Sequence, residues 1–163
     1  MKTFLVRVLP GLLCFALALP ALRAQDQTAP AERAVRETLA QFITAFDNLD
    51  WDGFRSAFAD DATVFYPRGF PERANGRAEF EKNFKVVFEH IRQAKTATPF
   101  MDIQPRNLQL QIFGDIAIAS FHLDDQIGFT NRRTIVLHRT ERGWKIVHLH
   151  ASEVSKATGR AER

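Results

Sequence analysis

The stretch RRTIVLHRTERGWKIVHLHAS, residues 132–152, decides the fold. Two runs rich in β-branched and aromatic residues flank a polar turn that ends at Gly143, where a residue of positive φ closes the loop. This pattern predicts a long antiparallel hairpin. Three of the five histidines of the chain lie in it. We expect the hairpin to form one wall of a pocket whose other walls are three earlier helices.

Two further strands precede the hairpin. Leucine and isoleucine alternate with polar residues over 107–112, and a turn at Gly114 leads into residues 116–124. One face of this last segment changes from apolar to polar, as expected of a pocket with a few placed polar groups. We therefore predict that His122 acts there as acid, base or hydrogen-bond donor, oriented by Asp124. The alternative is a solvated histidine beside a surface aspartate at the sheet edge.

Helical segments come before most of the strands. Apolar residues at helical spacing predict helices over 31–49, 51–59 and 77–92, and a strand is predicted over 62–66. Asp50 is a candidate N-cap. Helices followed by a contiguous antiparallel sheet define an α+β domain, in which one face of the sheet packs on the helices.

The first 24 residues have the layout of a secretory signal peptide. A basic head precedes an apolar run over 8–19, and small residues follow up to Ala24. The apolar run is too short to span a bilayer. We predict cleavage after Ala24, or alternatively after Ala21, and export to the periplasm or the medium. A flexible lead-in is expected over 25–30.

The charge balance changes once this segment is removed. The full chain has 22 Lys and Arg against 19 Asp and Glu, but residues 1–24 contain Lys2, Arg7 and Arg23 and no acid. Removing three of the 22 basic residues leaves 19, equal to the acidic count. Nucleic-acid binding requires a concentrated basic surface, so we predict no nucleic-acid partner and, after signal removal, no membrane partner. The one cysteine, Cys14, also leaves, so the core must hold without disulfides.

The block SAFADDATVFYP at 56–67, a glycine before the third helix, and the closing segment at 143–152 resemble the SnoaL-like group of the nuclear transport factor two superfamily. The resemblance covers about residues 31–154 and leaves 155–163 as a predicted disordered tail. It implies a cone-shaped fold, with three helices on a curved antiparallel sheet, and a homodimer formed through the sheet. It does not imply one activity, since this fold hosts isomerases, cyclases, dehydratases, ligand binders and oligomerisation modules.

Steroid isomerases of this superfamily differ from the chain at each catalytic position. The aspartate that shuttles protons falls at Tyr66, and the tyrosine that donates to the developing enolate oxygen falls at Phe42, which has no hydroxyl. The second donor, a protonated carboxylic acid, has no counterpart between Asp125 and Glu141. We therefore predict no steroid-isomerase activity.

The closing segment is also similar to the end of the association domain of calcium/calmodulin-dependent protein kinase. Three cavity arginines of that domain fall at His122, Ile135 and Ala151, so the cationic cavity is not reproduced.

The hairpin histidines raise the question of a metal site. His148 and His150 alternate with Val147, Leu149 and Ala151, and the alternation predicts that Trp144 and Ile146 share the histidine face. The resemblance implies that the histidine face looks outward, and His138 joins it in one register. Residues two apart on a strand stand about 7 Å from each other. We predict no metal and no cofactor.

The favoured function is binding of a small, mostly apolar molecule in an aromatic-lined pocket. The alternatives are a proton-transfer enzyme using the same pocket, such as an isomerase, cyclase or dehydratase, and an oligomerisation module with a filled cavity. Tyr66, His122 and Asp124 are the candidate catalytic residues. The candidate ligand-binding residues are Trp51, Phe42, Phe84, Arg133 and His150.

Overall fold

The computed structural model describes residues 19–95, 97–124 and 129–155. Within these ranges the chain forms three helices: α1 (Leu19–Asp47), α2 (Trp51–Ser56) and α3 (Arg77–Ala94). No helix among the described residues combines the length and apolarity needed to cross a membrane. Residues 1–18 of the predicted signal peptide and residues 156–163 of the predicted tail lie outside the described residues.

The backbone of residues 25–30 is helical, so the prediction of a flexible lead-in there is wrong. Gln25, Gln27 and Ala29 are strong helix formers, and they follow a run of alanine, leucine and arginine over 21–24. Pro30 removes one backbone donor, and α1 continues through it. The helix ends two residues before the predicted Leu49.

Helix α2 is shorter than predicted. Asp50 caps its N-terminus, where the carboxylate accepts a hydrogen bond from the Gly53 backbone N–H at 3.1 Å. Phe58 already belongs to the next strand, so the predicted extension to residue 59 is wrong. Helix α3 agrees with its prediction and begins after Gly76, whose φ of 78° and ψ of 170° define a region that is essentially restricted to glycine.

The strands of the described residues are β1 (Phe58–Phe65), β2 (Ala74–Asn75), β3 (Arg106–Phe113), β4 (Ile116–Asp124), β5 (Phe129–Thr140) and β6 (Gly143–Ser155). These six form one curved, unclosed sheet in the order β2-β1-β6-β5-β4-β3. The β5–β6 hairpin is confirmed, with Gly143 at φ 91°. The sheet is mixed rather than purely antiparallel, because β1 pairs in parallel with β6. The predicted α+β class is confirmed.

A β-bulge near the middle of β6 changes which side chains face the helices. Val136 pairs with His148, but Leu137 pairs with Ile146, so Val147 is an extra residue. An inserted residue reverses the alternation of faces. Ile146 and Leu149 are therefore both buried, and the predicted shared face of His148 with Trp144 and Ile146 is wrong.

Aromatic side chains dominate the core between the helices and the sheet. Phe54 of α2 is fully buried, and its ring lies 4.6 Å from that of Phe84 and 5.0 Å from that of Phe88, between ring centroids. Phe42 of α1 and Phe58 of β1 complete the centre of this cluster, with ring centroids 5.6 Å apart. These rings join all three helices to the first strand.

Candidate functional site

A cavity of about 440 Å³ lies between α1, α3 and the inner face of the sheet. This volume is within the range of small-molecule sites. Its lining is mostly apolar. The helices contribute Phe42, Ile43, Phe46, Phe84, Val87 and Ile91, the strands contribute Phe121, Leu123, Ile135, Leu149 and Ala151, and the loops contribute Pro67, Met101 and Ile103.

The polar side chains among the described lining residues are Tyr66, Arg68 and Arg133. Tyr66 directly follows β1, and its ring packs 4.7 Å from that of Phe70 and 5.2 Å from that of Phe84, between centroids. Its hydroxyl oxygen is buried and has no hydrogen-bond partner. Burial raises the pKa of Tyr66 to about 12, and Asn83, which lies nearby without a hydrogen bond of normal geometry, opposes the shift.

Arg133 enters the cavity from the middle of the sheet. Its Cα partners are Phe121 on β4 and Ala151 on β6, and both of those residues also line the cavity. Burial lowers the pKa of Arg133 to about 10, while the carboxylate of Glu153 opposes the shift and Arg68 adds to it. The guanidinium therefore carries its charge at neutral pH in mostly apolar surroundings.

Arg68 and Glu153 form an ion pair at the edge of the cavity. Arg68 Nη2 lies 2.6 Å from Glu153 Oε2. The separation is that of a close ion pair, although Oε2 has no hydrogen-bond partner of normal geometry. The Arg68 side chain is 56% exposed and that of Glu153 is 21% exposed, so the pair joins the loop after β1 to the end of β6 at the solvent boundary.

Comparison with known proteins places the chain in a family. The model of the SnoaL-like domain matches residues 35–155. The chain belongs to the SnoaL-like family. No curated protein matches the sequence.

Solved structures agree with this family at the level of the fold. An NTF2-like protein of unknown function from Pseudomonas putida KT2440 is 21% identical, with a TM-score of 0.65 over 77% of this chain and 87% of that one. An NTF2-like protein with a cystatin-like fold from Novosphingobium aromaticivorans is 18% identical, with a TM-score of 0.64 over 89% of this chain and 94% of that one. A structure from Parabacteroides distasonis that carries a provisional ketosteroid isomerase name is 18% identical, with a TM-score of 0.57 over 74% and 85%.

Four of the predicted site residues of this SnoaL-like protein line this cavity together: Tyr66, Phe42, Phe84 and Arg133. Their roles in binding stay predictions. Trp51 does not line it. Its ring instead packs at 5.6 Å from that of Phe88, between centroids, and the Lys85 amine lies 5.4 Å from its centre.

His122 does not line the cavity, so the prediction that it shares a pocket with Tyr66 is wrong. Its neighbours Phe121 and Leu123 face the cavity, and the two-residue period directs His122 to the opposite face of the sheet. The Nδ1 atom of His122 is buried there without a hydrogen-bond partner. Asp124 ends β4, and its side chain lies outside the described part of the structure.

His150 also lies on the outer face, exposed beside Phe65, with ring centroids 5.4 Å apart. The outward orientation predicted for His148 is confirmed, and its Nδ1 lies 2.7 Å from the Thr63 hydroxyl. Burial lowers the pKa of His148, and His150 and Arg73 add to the shift. The described residues contain no group of three or more His, Cys, Asp or Glu arranged to hold a metal ion.

Sequence reasoning missed several lining residues. Phe121 and Leu123 are not among the predicted site residues, because the sequence pattern favours the opposite face of β4 as the pocket wall. Met101 and Ile103 follow α3 in an irregular segment, and periodicity carries no signal there. Arg68 follows Pro67 in the loop after β1, two residues from the predicted site residue Tyr66, and this closeness in sequence is a usable signal.

Replacing Tyr66 by phenylalanine is expected to stabilise the free protein by about 1 kcal/mol, because a buried hydroxyl without a partner carries a desolvation cost. The same change should weaken any ligand that accepts a hydrogen bond from the hydroxyl. Urea denaturation and ligand titration measure the two effects separately. A destabilised Tyr66→Phe protein would instead show that the hydroxyl has a partner in the free state.

Proposed function

We propose that this SnoaL-like protein binds a small, mostly apolar molecule in the cavity, with Tyr66 and Arg133 holding its polar end. The observation that carries the proposal is an open, aromatic-lined space with three polar side chains among its described lining residues. Apolar burial would supply most of the affinity, and the few polar groups would orient the ligand. Arg133 takes the place that the sequence had assigned to His122.

Binding is favoured over proton-transfer catalysis by the chemistry of the lining. No histidine, carboxylate or lysine is among the described lining residues. Tyr66, with a pKa of about 12, stays protonated at neutral pH and is suited to donate a hydrogen bond rather than to accept a proton. The remaining alternative, an oligomerisation module with a filled interior, fits poorly with an open space of about 440 Å³.

Export and self-association complete the proposal. The basic head, short apolar run and small residues before Ala24 support export. Association of two chains through the outer face of the sheet is supported by exposed aromatic residues at its strand ends, Phe65 and Phe113.

The test is titration of the mature protein with 1-aminoanthracene, a small neutral fluorophore that brightens in apolar sites. Saturable binding of one probe per chain is the expected result. Native mass spectrometry of the protein purified from its own host then reports any retained molecule and the number of subunits. Absence of saturable probe binding would contradict the proposal.

A further inference from the structure

The charged groups around the cavity do not balance. Arg133 and Arg68 are the charged side chains among its described lining residues, and both are cationic. Glu153 is the carboxylate that acts on Arg133 electrostatically, and the same carboxylate pairs with Arg68. Two positive charges and one negative charge leave an excess of one positive charge beside an apolar space.

Arg133 is the residue that carries this excess positive charge. Glu153 Oε2 lies 2.6 Å from Arg68 Nη2, whereas no carboxylate of the described residues lies within 4.0 Å of the Arg133 guanidinium. The hydrogen bond that Arg133 makes in the described structure runs from Nη1 to the Arg132 carbonyl oxygen at 3.0 Å. A guanidinium has five N–H donors, so most of the donors of Arg133 are still available.

Arg133 is half-buried, and a charge withdrawn from water without a close counterion is costly, which the lowered pKa of Arg133 reflects. An anionic ligand bound to Arg133 would remove this cost. The planar fork of a guanidinium matches a carboxylate with two parallel hydrogen bonds. Because Phe121 and Ala151 flank Arg133 across the sheet, a carboxylate bound there would leave its apolar part against the cavity lining.

We infer that the ligand of the cavity is an apolar monocarboxylic acid whose carboxylate is held by Arg133. This inference rests on the proposed function and names its ligand class. Arg68 and Glu153 neutralise each other at the rim, which leaves one uncompensated charge and therefore selects a single acidic group. A neutral molecule of the same shape would leave that charge unpaired and bind more weakly.

The experiment compares 1-naphthylacetate with 1-naphthylacetamide as competitors of bound 1-aminoanthracene at neutral pH. The two competitors share their apolar part and differ in charge. A hydrogen-bonded charge contributes about 1.5–3 kcal/mol, so the acid should bind about tenfold to a hundredfold more tightly than the amide. Arg133→Gln should abolish this preference, so that the acid binds no more tightly than the amide.

Arg132→Gln is the matched control. Arg132 is the adjacent arginine, but it is exposed and lies on the opposite face of the sheet, so its replacement should leave the preference for the acid intact. Glu153→Gln supplies an independent arm, because removal of the competing carboxylate should tighten the acid severalfold without affecting the amide. A gain of affinity cannot come from loss of folding.

The outcomes distinguish a failure of the ligand class from a failure of the proposed function. If the probe binds but the acid shows no advantage over the amide, or if Glu153→Gln leaves acid affinity unchanged, the carboxylate inference is overturned and the proposed function stands. If the probe itself does not bind, the proposed function fails and the inference fails with it.

Discussion

Replacing Phe54 by alanine is expected to lower the free energy of unfolding by about 3–5 kcal/mol, the usual cost of truncating a fully buried phenylalanine. The side chain is 0% exposed. Its ring packs on aromatic side chains from every helix and from β1, with centroid distances of 4.6–6.2 Å: Phe42, Phe46, Trp51, Phe58, Phe84 and Phe88. Because these neighbours are held by separate elements, they cannot collapse into the space that the ring leaves.

Urea denaturation followed by circular dichroism measures this loss. Val86→Ala is the control, since Val86 is 44% exposed on α3 and its truncation removes little packing. We expect that control to stay within about 0.5 kcal/mol of the unchanged protein. Equal effects of the two substitutions would contradict the central place of Phe54 in the core.

Replacing Ala151 by phenylalanine is expected to abolish binding of 1-aminoanthracene, with affinity lowered by more than about tenfold, or 1.4 kcal/mol. Ala151 is buried and lines the cavity beside Arg133, so a benzyl group there would occupy the ligand space. Filling an existing cavity commonly stabilises a protein by about 0.5–2 kcal/mol. The variant should therefore unfold at the same or a higher urea concentration than the unchanged protein.

The same substitution at Ala119 distinguishes an open space from a packed one. Ala119 is also on the inner face of the sheet and is 0% exposed, but it is not among the described residues that line the cavity. Overpacking at such a position costs about 1–3 kcal/mol. If Ala151→Phe destabilised the protein as much as Ala119→Phe, the cavity would not be open in solution.

The elements of the fold were largely predictable from local patterns. The hairpin, the strand that contains His122 and the helix that begins after Gly76 all follow from periodicity and turn chemistry, which depend on residues close in the sequence. The backbone at residues 25–30 was mispredicted because a single proline was given more weight than the helix formers around it.

The candidate site was predictable only in part. Tyr66 and Phe42 were predicted from the family resemblance, Phe84 from the helical spacing of apolar residues, and Arg133 from its position in the hairpin. His122 was placed on the wrong face because β4 carries apolar residues on both faces, so hydrophobicity alone could not select the inner one. Ala117 and Ala119 are fully buried on the inner face of the sheet, where small side chains fit against the packed core. Phe121 lies on the same face by the two-residue period and therefore lines the cavity.

The sequence by itself determined the α+β class, the order of helices and strands, the hairpin and the family, because these depend on the spacing of residue types along the chain. The tertiary structure alone decided that the interior keeps an open space, that Val147 reverses the alternation of β6, and that Arg133 rather than His122 reaches the cavity. The physical reason is that the face a strand buries and the volume left between elements depend on contacts between residues far apart in the chain.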